Sequence, residues 1–271
     1  MPIDCELVEK FLREVESEIL PSISAGATRL QGHQKLLDNY HAERDAWQRR
    51  SVDHVQGITA AVNELCIARL ILDDNKVESA SYEPQLEKTA KTIDFLVCLV
   101  GSDARIFYDV KTIQPEGRDK WDSYEKAKNS GWFTSNTCLA LEQEGMGGAI
   151  FHELLASRQK FIDYTMELEE KIRPFSNSER TYFRLVLCGD GFQWRRDHLE
   201  DFADCYFFGH SRADDTLGAM QTHSMEEKGI NFDRSIHRFC YFERKRSSTA
   251  VAAFKCDVHG PKFPWQVSTE G

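Results

Sequence analysis

The sequence predicts an α/β fold: a central mixed β-sheet flanked by helices, with a helical extension before it and a β-hairpin region after it. Three observations carry this. Apolar residues recur at helical spacing from Leu7 to Leu72. Two β-rich apolar runs, 93–100 and 105–111, then face each other across the turn-forming Gly101-Ser102-Asp103-Ala104. A further helix and strand signal come after them, at 151–172 and 182–188.

In chain order, residues 5–20 read as an amphipathic helix through Leu7, Phe11, Leu12, Val15 and Ile19, stopped near Pro21. A polar helix rich in Gln, Lys, Glu and Arg spans 28–50. A third covers 52–72, with Ile58, Ala61, Val62, Leu65, Ala68, Arg69 and Leu72 at helical spacing. Residues 77–86 are mixed and contain Pro84, which allows at best an edge strand or a strand followed by a turn. The hairpin 93–111 follows. After Lys111 comes a long polar stretch, too long for an ordinary connection and expected to serve function. Beyond the helix and strand at 151–188, helix signals return at 194–207. Residues 236–243 and 249–256 read as a hairpin across Arg244-Lys245-Arg246-Ser247-Ser248. The expected division is a helical extension (1–52), a core (53–210) and an accessory hairpin region (211–271).

Composition narrows the function classes. With 34 Lys and Arg against 44 Asp and Glu, the chain carries a formal charge of -10, which argues against an all-over basic coat for nucleic acid but permits a local basic groove. No apolar stretch reaches the roughly 18 residues of a membrane helix, and no membrane partner is expected. The N-terminus is acidic and lacks an apolar signal core, so a cytoplasmic protein is expected. The 8 cysteines are scattered without a C-x-x-C pair, which argues against a disulfide framework or a zinc ribbon. Cys240, Cys256, His237 and His259 match no standard metal spacing, and buried free thiols are the better expectation.

The central hairpin carries the chemistry. Residues two apart on a strand share a face, so Asp109 and Lys111 point the same way. A loop at 101–104 pairs Val100 with Arg105. It sets Asp94 opposite Lys111 and Leu96 opposite Asp109, leaving Asp94 diagonal to Asp109 at roughly 7–8 Å. The other face, with Ile93, Phe95, Val97, Leu99, Ile106, Tyr108 and Val110, is core-facing. Two carboxylates at the rim of a core repel and lose hydration unless a cation compensates. A hard divalent cation with oxygen ligands fits that need. The alternative is an ion pair between Asp94 and Lys111, with Asp109 marking a solvated strand end. Upstream, Glu64 has Ala60, Ala61, Ile67 and Ala68 as its helical neighbours, an unusual setting for a solvated carboxylate.

Glu64, Asp94 and Asp109-Val110-Lys111, in the order helix, strand, hairpin, then helix and strand, resemble the PD-(D/E)XK nuclease superfamily. This is the restriction-endonuclease-like fold of restriction enzymes, Holliday-junction resolvases and many repair nucleases. The resemblance covers residues 55–190, and its motif departs at Ile93, where the family name has proline. It implies a restriction-endonuclease-like core and a Mg²⁺-dependent endonuclease hydrolysing DNA phosphodiester bonds, with Mn²⁺ as a substitute metal. Glu64, Asp94 and Asp109 would hold the metal with the main-chain carbonyl of Val110, and Lys111 would assist attack by water. A catalytically inactive nucleic-acid-binding or assembly subunit of the same fold is the alternative.

A nuclease needs cations for the phosphate backbone. Arg244, Lys245 and Arg246 at the C-terminal hairpin tip are the expected nucleic-acid contacts, interleaved with Phe232, Phe239, Tyr241, Phe242 and Phe254. A solvated tip over core aromatics is the equal alternative. The stretch after Lys111 adds Arg118, Lys120, Trp121, Tyr124, Lys126 and Lys128 as a substrate-covering element. Double-strand cleavage would favour a homodimer.

Overall fold

The computed structural model describes residues 5–50, 55–86, 91–113, 148–175, 178–189, 196–208, 231–244 and 254–259. Helix α1 (Cys5–Glu14) runs through a π-helical turn (Val15–Ile19) into α2 (Leu20–Ala25). Pro21 therefore does not end the helix. It falls at the start of α2, just after the π turn, where a missing N–H removes no required bond. Strand β1 (Leu30–Gln31) precedes α3 (His33–Arg50), so the polar helix begins later than its composition suggests. Gly32 sits between them with φ +79°, a left-handed conformation that suits glycine. Helix α4 (Val55–Asp73) leads to β2 (Val77–Tyr82), β3 (Phe95–Leu99) and β4 (Arg105–Thr112). Helix α5 (Gly148–Ile172), strand β5 (Thr181–Gly189), helix α6 (Arg196–Phe208) and strands β6 (Arg238–Arg244) and β7 (Phe254–His259) complete the order.

The strands form one mixed sheet in sequence order from β1 to β7. Strands β2, β3 and β4 are an antiparallel meander, β5 and β6 lie parallel to β4, and β7 returns antiparallel to β6. Short β1 lies parallel beside β2, so β2 is not an edge strand; it ends at Tyr82, before Pro84, in line with the second alternative, a strand that stops ahead of the proline. The C-terminal hairpin forms with Arg244 opposite Phe254.

Helices cover both faces. On one side α1 to α4 pack through Leu12, Ile19, Leu36, Trp47, Val62 and Leu65 onto Val97, Ile106, Val110 and Val186. On the other, α5 and α6 pack through Phe161, Leu168, Ile172, Phe202 and Tyr206 onto Phe107, Phe183, Leu185 and Phe239. Strand β5 is buried on both faces, which explains its unbroken apolar run. Among the described residues no helix is long and apolar enough to cross a membrane.

The hairpin register differs from the expected one. Phe95 pairs with Tyr108 and Cys98 with Arg105, so the turn consumes two more residues than 101–104. Leu99 pairs with Val77 of β2, and Val100 donates to the Lys76 carbonyl, which draws these two residues into the β2 side of the meander. The Ser102 N–H closes on the Leu99 carbonyl at 3.2 Å, with Gly101 at φ +67° in the third position of that turn. A slip of two leaves the paired residues of β3 and β4 on their expected faces, while Ile93, expected beside Phe95 and Val97, packs with Phe107 on the α5 side.

Candidate active site

Along β4, Phe107, Asp109 and Lys111 alternate onto the α5 side, while Ile106 and Val110 face α4. The observed register, continued one residue, sets Asp94 directly across from Asp109 rather than diagonal to it. Asp94 is held at both ends. Its main-chain carbonyl accepts from Glu83 N–H at 2.7 Å, and its Oδ2 accepts from Val110 N–H at 2.5 Å. Val110 thus enters the site through its N–H, whereas the resemblance implies its carbonyl.

Asp109 is 1% exposed, which overturns the alternative of a solvated strand end. Its Oδ1 accepts from Lys171 Nζ of α5 at 3.1 Å. Its Oδ2 lies 3.3 Å from Lys111 Nζ as an ion pair, but is buried with no hydrogen-bond donor among the described residues. Lys111 is therefore paired with Asp109, its neighbour two residues earlier. It also donates to Glu167 Oε1 at 3.0 Å and lies 5.9 Å from the centre of the Tyr164 ring. Lys171 reaches the same Glu167 oxygen at 3.0 Å.

Glu64 approaches from α4. Its neighbour Asn63 donates to Thr112 Oγ1 at 2.8 Å, fixing this turn of α4 to the C-terminal end of β4, next to Lys111. Glu64 Oε2 accepts from the Tyr82 hydroxyl at 2.6 Å, and that hydroxyl accepts from Asn39 of α3 at 3.0 Å. The expected acids therefore come to one end of the sheet, each on its own donor: Asp94 on a backbone N–H, Asp109 on lysines, Glu64 on a phenol. Among the described residues no three Asp, Glu, His or Cys side chains are gathered closely enough to hold a metal ion between them.

The electrostatics show that they still feel one another. Burial pushes the Asp94 carboxyl up to about 8, helped by the negative charges of Asp109 and Glu64 and resisted by the Val110 N–H and Lys111. Burial also raises Glu64, against the pull of the Tyr82 hydrogen bond. Burial opposes the charge of Lys111, but Asp109 and Glu167 outweigh it and hold its ammonium above the ordinary lysine range. Burial raises Glu167 less than Lys171 and Lys111 lower it, so it stays ionised.

Glu167, Lys171 and Tyr82 are absent from the expected set. Glu167 and Lys171 form an i,i+4 acid–base pair, a pattern common to solvated helix faces and therefore silent about a site. Arg244 ends β6 with its backbone paired to Phe254, and its side chain is not among those described. Lys245, Arg246 and the basic stretch with Arg118, Lys120, Trp121, Tyr124, Lys126 and Lys128 lie outside the described residues. Comparison with models of known protein families, with curated proteins and with solved structures finds no match to this chain.

Proposed function

We propose that the protein is a Mg²⁺-dependent nuclease that hydrolyses DNA phosphodiester bonds at the Asp94–Asp109–Lys111 end of the sheet, on a restriction-endonuclease-like core. The order of that core supports the fold: α4, the meander β2–β3–β4, then α5 and β5 parallel to β4. One observation carries the function. Asp94 falls opposite Asp109 when the observed register is continued by one residue, and Asp109 Oδ2 is buried without a hydrogen-bond donor among the described residues. A buried carboxylate oxygen that meets Lys111 as an ion pair without a hydrogen bond, beside a carboxyl pushed toward neutrality, is a site that favours a hard cation.

Glu64, Asp94 and Asp109 do not close round an ion in this arrangement, but Mg²⁺ needs only one or two carboxylates with waters and phosphate oxygens. Asp109 and Asp94 would hold it, with Glu64 as the third acid at the same end of the sheet, and it would supply Lewis-acid polarisation of the phosphoryl group and a more acidic water. Lys111 keeps its proton under the charges around it, so its role is to orient the attacking water and stabilise charge growing on phosphorus, not to act as a base. Tyr82 fixes the carboxylate of Glu64, and the Val110 N–H fixes that of Asp94.

A second reading draws on a specific observation. Each acid already has a protein donor, as it would in a catalytically silent nucleic-acid-binding or assembly subunit of the same fold. Purified protein is to be incubated with duplex, single-stranded and branched DNA in Mg²⁺ or Mn²⁺. Cleavage of at least one form, stopped by EDTA and abolished by Asp109→Ala or Lys111→Ala, is expected. Binding without cleavage of any form selects the silent subunit instead.

A further inference from the structure

Glu167 Oε1 lies 3.0 Å from Lys111 Nζ and 3.0 Å from Lys171 Nζ. One carboxylate oxygen thus bridges two ammonium groups. The same two groups hold Asp109, Lys171 at Oδ1 and Lys111 at Oδ2. The lysines come from different elements, β4 and α5, and both are mostly buried, with side chains 19% and 15% exposed. Glu167 is 44% exposed. The pair of cations therefore rests on a buried acid within and is capped by a solvent-facing acid without.

The two acids are not equivalent toward an incoming anion. Asp109 cannot leave the lysines without standing unpaired in the interior, a large penalty. Glu167 can swing into water and be rehydrated at small cost. A phosphodiester resembles a carboxylate in charge and in its two terminal oxygens, and lysine ammoniums bind it as point charges. The place between Lys111 and Lys171 is thus shaped for such an oxygen and filled by a displaceable stand-in.

We infer that Lys171 is a second phosphate-contacting cation of this site, and that Glu167 holds the place of a non-bridging phosphate oxygen between Lys111 and Lys171 until substrate displaces it. The inference rests on the nuclease reading, because the anion is the DNA phosphodiester. Glu167 is then a built-in competitor that lowers affinity for nucleic acid and discourages binding of any anion too weak to displace it. An ordinary stabilising i,i+4 pair would have no such effect.

The test uses a labelled DNA duplex and single strand, with binding to the full chain read by fluorescence anisotropy in Ca²⁺ over a series of salt concentrations, and cleavage read separately in Mg²⁺. Glu167→Gln keeps the size and an acceptor but removes the charge, and should bind about tenfold tighter than wild type. Lys171→Gln should bind about tenfold more weakly and reduce the salt slope by about one phosphate contact. A purely structural role would not move that slope. Glu167→Gln alters an exposed side chain and carries the test even where Lys171→Gln fails to fold. If wild type binds and cuts DNA while Glu167→Gln binds no tighter, or a folded Lys171→Gln keeps the wild-type slope, the inference is overturned and the nuclease reading stands. If wild type neither binds nor cuts any DNA form, the nuclease reading falls and takes the inference with it.

Discussion

At the scale of single residues, Asp94 decides how this site responds to pH. Burial and the charges of Asp109 and Glu64 raise its carboxyl from 3.8 to about 8. The folded protein then holds this proton more tightly than the unfolded chain does. The stability so gained is full below the unfolded value and is lost as pH rises toward the folded one. Glu64 is raised as well and acts in the same direction. His237, lowered first by burial and then by Arg184, acts oppositely, because its neutral form is favoured in the fold and stability rises with pH through its range. In metal-free buffer, urea unfolding should show wild-type stability falling from about pH 5 to about pH 8 relative to Asp94→Asn. The asparagine removes the titration and keeps an oxygen for the Val110 N–H. Parallel pH profiles for the two proteins would show that Asp94 is not perturbed.

At the scale of elements, the site depends on how α3, α4 and β2 are tied together. Tyr82 links them through Asn39 and Glu64. Its backbone is fixed in turn by Gly32, because a Cβ there would lie 3.0 Å from the Tyr82 carbonyl oxygen and would need a left-handed backbone. Gly32→Ala should cost roughly 1–2 kcal/mol of stability by chemical denaturation, with no charge or functional group removed. Tyr82→Phe should cost about 1–3 kcal/mol, because it leaves a part-buried carboxylate short of a donor. A Tyr82→Phe protein as stable as wild type would show that Glu64 finds another partner.

Most elements of this frame are legible in the sequence, since apolar periodicity marks α1, α4, α5 and the central strands directly. The exceptions have local causes. A π turn lets the first helix pass Pro21, and cross-pairing of Leu99 with β2 lengthens the central turn by two residues. The slip is even, so the faces of Asp94, Asp109 and Lys111 are read correctly while their pairing is not. Glu167 and Lys171 stay hidden because an acid and a base four apart mark any wet helix face. Only the position of α5 over β4 brings them against Lys111 and Asp109.

For the whole molecule, the charge of -10 bears on how a cation effect is to be recognised. A chain this acidic gathers Mg²⁺ loosely over its surface, and that diffuse effect is screened beyond about 8 Å at physiological ionic strength. A specific site differs in two respects. It must lose its effect when Asp109 loses its charge, and its affinity must rise with pH, because Asp94 has to release a proton before both oxygens can serve as ligands. At free Mg²⁺ about 100 times the dissociation constant, binding to the folded state alone adds about 2.7 kcal/mol. For a chain of this size that raises the melting temperature by roughly 2–4 °C per kcal/mol. Melting curves at fixed monovalent salt should therefore show a Mg²⁺-induced rise that is larger at pH 8 than at pH 6 in wild type. In Asp109→Asn the rise should shrink to the small, pH-independent shift of surface screening. Equal shifts in the two proteins, or a wild-type shift that ignores pH, would locate the cation effect on the acidic surface and leave Asp94, on the Val110 N–H, and Asp109, on its lysines, as a structural cluster.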